Sequence, residues 1–120
     1  MQFNSIDMAM EKIVVADFTK YPGGRYKKHG DGSGEEFRDT KLAPALAEHN
    51  EVIVFLDGVA GYPASFLEEA FGGLVREKGF TLEQLKTHLH IKADDDLYSV
   101  YVDVAWEYIE DAAKHMVTSK

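Results

Sequence analysis

The stretch Glu51 to Gly79, EVIVFLDGVAGYPASFLEEAFGGLVREKG, decides the fold. Val52 to Leu56 is an unbroken run of β-branched, aromatic and aliphatic residues, the pattern of a strand covered on both faces, as in the middle of a helix-flanked sheet. Asp57 and Gly58 end that run, and Gly61 and Pro63 shape a short loop. Ser65 stands where a helix N-cap is expected, three residues before Glu68 in the order of a capping box. The spacing then predicts a helix to about Lys78 with Phe66, Leu67, Ala70, Phe71 and Leu74 on its inner side and Glu68, Glu69 and Gly72 on the other. The pair Gly72–Gly73 is costly in a helix interior, about 1 kcal/mol per glycine relative to alanine, so the space must be wanted. Two readings fit: Gly73 borders the apolar stripe and lets the helix pack closely, or Gly72 with Glu68 and Glu69 leaves a flat acidic face for a docking partner.

Working towards the N-terminus, Lys12 to Thr19 (KIVVADFT) reads as a second buried strand lying beside Val52 to Leu56. Residues before it, Met1 to Glu11, fit a frayed lead or an edge strand. Lys20 to Gly34 (KYPGGRYKKHGDGSG) holds five of the ten glycines together with Arg25, Lys27, Lys28 and His29. Such a loop can bring amide groups close to an anion and lead into a helix whose first amides are free. Neither phosphate-loop fingerprint is complete, because Gly30 is followed by Asp31 and Gly34 does not complete the dinucleotide pattern. Candidate anion- or partner-binding residues are Gly23, Gly24, Arg25, Lys27, Lys28 and Ser33; a solvated loop is the competing reading. Ser33 and Glu36 form another capping-box pair, opening a helix with Phe37, Leu42 and Leu46 inward and closing at Asn50. Pro44 predicts a kink near Lys41 to Ala43 or a fresh helical start. Strand, helix, strand in this order is a βαβ unit with parallel strands.

Towards the C-terminus, Gly79 reads as a helix end, and Thr81 with Gln84 as a third capping box before Leu82, Leu85 and Leu89. His88 to Lys92 is the candidate third strand. His88 and His90 would share a face, but no third ligand is adjacent, and Asp94 to Asp96 favour the start of the next helix, so no metal centre is expected. The last helix, about Leu97 to Val117, would turn Leu97, Tyr101, Val104, Tyr108 and Ala112 inward, leaving Val100 and Trp106 for self-association.

The chain of 120 residues fits one domain and has no cysteine, which excludes disulfides, thiolate metal sites and cysteine nucleophiles. A formal charge of −8 argues against general affinity for nucleic acid. No run approaches a membrane span and the first residues lack a signal-peptide pattern, so a cytoplasmic protein is expected.

The segments PGGRYKKHGDGSGEEFR (Pro22 to Arg38) and LDGVAGYPASFLEEAFGGL (Leu56 to Leu74), with the apolar strand before the latter, resemble a bacterial STAS-like family of unknown function. The resemblance runs from Lys12 to Tyr108. It implies a small α/β fold with a mixed sheet packed by helices on one side. In the related anti-sigma-factor antagonists, a buried strand, a short loop and a serine at a helix start dock on an ATP-using kinase, which phosphorylates that serine. The resemblance places Ser65 at that acceptor position. The basic glycine loop is not a general antagonist feature.

The expectation is therefore a single STAS-like α/β domain over residues 1–120, with a three- to four-stranded mixed or mostly parallel sheet and about four helices. It would act as a non-catalytic regulatory or protein-interaction domain, with Ser65 as candidate phosphoacceptor. Glu68, Glu69 and Gly72 would form the docking face. A kinase-type ATPase or a second copy would be the partner, and no cofactor, nucleic acid or membrane is implied. The alternative is a phosphate- or nucleotide-binding protein or enzyme in which Arg25, Lys27 and Lys28 hold phosphate oxygens and Asp17 or Asp57 serves a metal or a proton. Against it stands the lack of a nucleophile–base pair, a metal triad or a complete phosphate fingerprint.

Overall fold

A computed structural model describes residues 10–118, the side chains of 117 and 118 excepted; the reading of the first nine residues falls outside that range. Three strands, β1 (Met10–Val14), β2 (Glu51–Phe55) and β3 (Leu89–Lys92), form one sheet in the order β1-β2-β3, and both pairs are parallel. The apolar run predicted as central is the central strand. In register, Ile13 lies beside Val54 and Val54 beside Ile91, while Val52 lies beside Leu89. These five residues are buried and form the floor of the core. Their neighbours Lys12, Ile53 and His90, and Val14, Phe55 and Lys92, fall on the opposite face and none of them is buried. The sheet is thus fully covered on one face only, which corrects the expectation that both faces of β2 are enclosed.

β1 is also shorter and earlier than Lys12 to Thr19. Its last rung pairs Val14 with Phe55, where β2 ends, and without a partner strand the chain turns into helix α1 (Val15–Phe18). Val15 is buried, and the Phe18 ring packs 5.3 Å from that of Phe37.

Helix α2 runs through Gly34–Phe37, a π-helical turn Arg38–Leu42 and Ala43–Glu48. The Ser33 hydroxyl caps it by accepting from the Glu36 amide at 3.0 Å. Glu36 reaches one residue further back than a capping box requires, accepting from the Gly32 amide at 3.0 Å. Pro44 sits in the first turn of the last segment, and the π turn closes with the Ala43 amide on the Arg38 carbonyl, five residues back. The predicted irregularity at Lys41 to Ala43 therefore takes the form of one inserted residue rather than a break.

Helix α3 has the same construction: Ala64–Leu67, a π turn Glu68–Gly72, and Gly73–Arg76. Gly79, at φ +79°, ends it, with the Phe80 amide bonded to the Leu74 carbonyl at 3.0 Å, as a left-handed glycine after a helix allows. Helices α2 and α3 pack closely where a Cβ on Gly34 would stand 2.5 Å from the Phe66 carbonyl oxygen. Helix α4 (Leu82–His88) carries the predicted Thr81–Gln84 capping box in full.

A 3₁₀ turn Asp96–Tyr98 precedes α5 (Ser99–Thr118). Leu97 falls before the helix, whose buried residues are Ala105, Ile109 and the predicted Ala112. Leu97 is 71% exposed, and Tyr101, Val104 and Tyr108 are half-buried, as is Trp106. The predicted stripe is shifted accordingly.

Candidate functional site

The glycine-rich loop is tied to its own ends and to the start of α2. The Gly23 amide donates to the Gly32 carbonyl at 2.8 Å, the Gly34 amide to the Gly24 carbonyl at 2.9 Å, and the Glu35 amide to the Arg25 carbonyl at 3.0 Å. The narrowness of this closure needs glycine at 23, where a Cβ would stand 2.9 Å from the Asp31 carbonyl oxygen. At the tip, Lys27–His29 make one 3₁₀ turn, and the Lys27 amide donates to the Glu35 carboxylate at 2.9 Å. Tyr26, Lys27, Lys28 and His29 are exposed, with the Tyr26 ring 5.6 Å from the His29 ring and the Lys28 ammonium 5.7 Å from the Tyr26 centroid.

Behind the tip lies a network that joins the loop to both π turns. Arg38 on α2 donates from Nη1 to Glu69 Oε2 on α3 at 2.5 Å and to the Glu69 carbonyl at 3.3 Å, and its Nε donates to Asp39 at 2.9 Å. Both the Arg38 and Glu69 side chains are at most 5% exposed. The other Glu69 oxygen accepts from Arg25 at 3.0 Å and from Arg76 at 3.1 Å. Glu68 accepts from Arg25 through a short bond and from Arg76 through two, at 2.7 and 3.2 Å. Asp39 is shared with Lys78 at 3.2 Å and Lys27 at 3.5 Å. Burial alone would raise the Glu68 carboxyl, but hydrogen bonds from Arg76 and Arg25 outweigh it and hold it below the usual carboxylate range.

The glycine pair in α3 is explained here. A Cβ on Gly73 would collide with the Arg38 guanidinium, and one on Gly72 would stand 2.9 Å from Glu68 Oε2 and 3.3 Å from the Tyr108 carbonyl oxygen. Of the two readings of that pair, close internal packing holds. Glu68, Glu69 and Gly72 do not form an open acidic face: Gly72 is buried, Glu69 is buried, and Glu68 is ion-paired. The π turn adds a residue to the helical period and rotates Glu69 towards Arg38, which a 3.6-residue wheel does not anticipate.

Ser65 is not a cap. Pro63 occupies the N-cap position with no side-chain bond, so Ser65 is the second residue of α3, half-buried. The loop before it is held by the Tyr62 hydroxyl on the Leu56 carbonyl at 2.7 Å and the Tyr98 hydroxyl on the Val59 carbonyl at 2.6 Å. Asp57 accepts from the amides of Asp94 and Asp95 at 3.0 and 2.8 Å, fastening the ends of β2 and β3 together, while Asp17 lies exposed in α1. His88 Nδ1 lies 2.6 Å from the Asn50 carbonyl oxygen and His90 Nε2 lies 3.4 Å from a Glu51 oxygen. Among the described residues no three His, Cys, Asp or Glu side chains converge as a metal site would require.

Residues 33–98 match the family described as a STAS-like domain of unknown function. The chain belongs to that family. The match opens at the Ser33 cap and takes in both π turns, Arg38, Glu68, Glu69 and Arg76. The loop from Pro22 to Gly32, β1 and all of α5 lie outside it, so the matched part of the STAS-like domain is narrower than the sequence resemblance. No curated protein matches. No solved structure matches either. No helix among the described residues of this STAS-like domain is long and apolar enough to cross a membrane.

The sequence reading identified Arg25 but missed Arg38 and Arg76, which complete the network. The signal was Gly72–Gly73, two adjacent vacancies in a helix, which mark where long side chains from elsewhere must pass.

Proposed function

We propose that this STAS-like domain is a non-catalytic regulatory module that recognises an acidic protein surface through the tip of its glycine-rich loop. The observation that carries the reading is the contrast within that loop: its backbone is tied down while Tyr26, Lys27, Lys28 and His29 stand exposed at its tip. A fixed backbone lowers the entropy lost on docking, and a local basic patch on a chain of charge −8 steers an acidic partner to one place. Arg25 is engaged with Glu68 and Glu69, so Lys28, with Lys27, which stays half exposed beside Asp39, carries the recognition, and Gly23, Gly24 and Ser33 shape the loop.

Phosphorylation of Ser65 belongs to the same proposal. As the second residue of α3 its amide has no intrahelical acceptor, and a negative charge there is favoured by the helix dipole. The anti-sigma antagonists resembled by this chain point to a kinase-type ATPase as the class of partner.

The test is capture of the partner from the source cell with wild-type protein and with the double variant Lys27→Glu/Lys28→Glu. The variant should lose the partner with an unchanged melting temperature, since exposed charges contribute little to stability. Capture by wild type should weaken as salt is raised. Retention of the partner by the folded variant would overturn the docking site, and absence of phosphate on Ser65 by intact mass in host-purified protein would overturn the switch.

A further inference from the structure

We infer that Arg25 and Arg76 form a latent oxyanion site for a phosphate group, in which the Glu68 carboxylate is a built-in occupant. Two guanidinium groups, one from the glycine-rich loop and one from α3 itself, close on that one carboxylate: Arg76 grips both oxygens, at 2.7 and 3.2 Å, and Arg25 adds a donor to Oε1. Forked arginine donors converging from two directions are the arrangement that recognises phosphate oxygens, and a carboxylate satisfies it only in part.

The network has two layers that differ in exposure. Arg38 and Glu69 are buried at 5% and 4% and are a permanent pair, whereas Arg25, Arg76 and Glu68 are 32%, 34% and 24% exposed and can exchange partners with solvent. Glu68 Oε2 lies against the bare backbone of Gly72, where a Cβ would stand 2.9 Å from it, so the glycine gives the carboxylate its place between the two arginines. Five cations, Arg25, Lys27, Arg38, Arg76 and Lys78, surround four carboxylates, Asp39, Glu68, Glu69 and Glu77. The excess of one positive charge becomes two when Glu68 swings out, matching the charge of a phosphate monoester near neutral pH. Glu68 therefore keeps the site closed to weak anions and yields to a dianion. Arg25, Arg76 and Glu68, which would make the contacts, lie apart from the exposed loop tip, Lys27 adding only to the surrounding charge, and the inference goes beyond the proposed docking role.

The experiment is calorimetric titration of wild type and Glu68→Gln with inorganic phosphate and with a short phosphoserine peptide. Removing the internal occupant should tighten binding about tenfold, the gain for a site otherwise free only a tenth of the time. Adding Arg76→Gln to Glu68→Gln should abolish the gain. Tighter binding of the peptide than of phosphate identifies a phosphorylated chain as the source; the reverse identifies the free ion. A folded Glu68→Gln protein that binds both no more tightly than wild type overturns the inference. Should that variant fail to fold, NMR of wild type supplies the test: phosphate, but not chloride at equal ionic strength, should shift the Arg76 Nε and Glu68 carboxyl signals, and their invariance overturns the inference. Loss of partner capture in Lys27→Glu/Lys28→Glu leaves these outcomes unchanged.

Discussion

Arg38 and Glu69 meet at 2.5 Å across the seam between α2 and α3, each within a π turn, and the missing side chain of Gly73 makes room for the guanidinium. The pair joins the two halves of the βαβ architecture at a point with little access to water. A charge so placed is tolerable only while its partner is present.

Removing one partner should therefore cost more than removing both. Arg38→Met or Glu69→Leu alone should lower unfolding stability by about 3–5 kcal/mol, whereas Arg38→Met/Glu69→Leu should recover much of that loss. Urea unfolding of the four proteins in a double-mutant cycle measures the difference. A double variant whose loss equals the sum of the two single losses would show that the two side chains are not coupled.

Local signals in the sequence were sufficient for much of this fold. The apolar run before Asp57 gave the central strand, the strand–helix–strand order gave parallel pairing of β1 with β2, and the Thr81–Gln84 pair is present as a complete capping box. What escaped was set at a distance. β1 ends at Val14 because β2 supplies no further rung, a fact about residue 55 rather than residue 15. Glu69 turns inward because a π turn changes the helical phase, and no propensity scale marks π turns. Arg25 reads as a free cation beside Lys27 and Lys28, yet it is bound to carboxylates more than forty residues away.

The two serines at helix starts should separate cleanly. Ser33 is fully buried and its hydroxyl accepts from the Glu36 amide, so Ser33→Ala removes a cap and should cost about 1 kcal/mol. Ser65 makes no capping bond, and Ser65→Ala should stay within about 0.5 kcal/mol of wild type. Urea midpoints at neutral pH decide it; a larger loss for Ser65→Ala than for Ser33→Ala would contradict the placement of Pro63 as the cap.

Acid should act on the outer layer of the network. The folded Glu68 carboxyl lies below its ordinary value because the hydrogen bonds from Arg76 and Arg25 overcome the opposing effect of burial. Asp39 is lowered in the same way, burial being outweighed by hydrogen bonds from Arg38 and Lys78. A depressed folded value means that the unfolded chain takes up protons first. The stabilisation is thus fully present above the unfolded carboxylate range, about pH 4, and is lost as pH falls through the lower folded values. Glu68→Gln cannot take up that proton. At neutral pH it should be modestly less stable than wild type, because the ion pairs it loses are partly solvent-screened. As pH falls below the ordinary glutamate range the gap should close, since wild type then loses the same interactions. Chemical unfolding of both proteins from neutral to strongly acidic pH follows the gap directly. A gap that stays constant or widens towards acid would mean that the Glu68 carboxyl is not held below its ordinary value by Arg76 and Arg25.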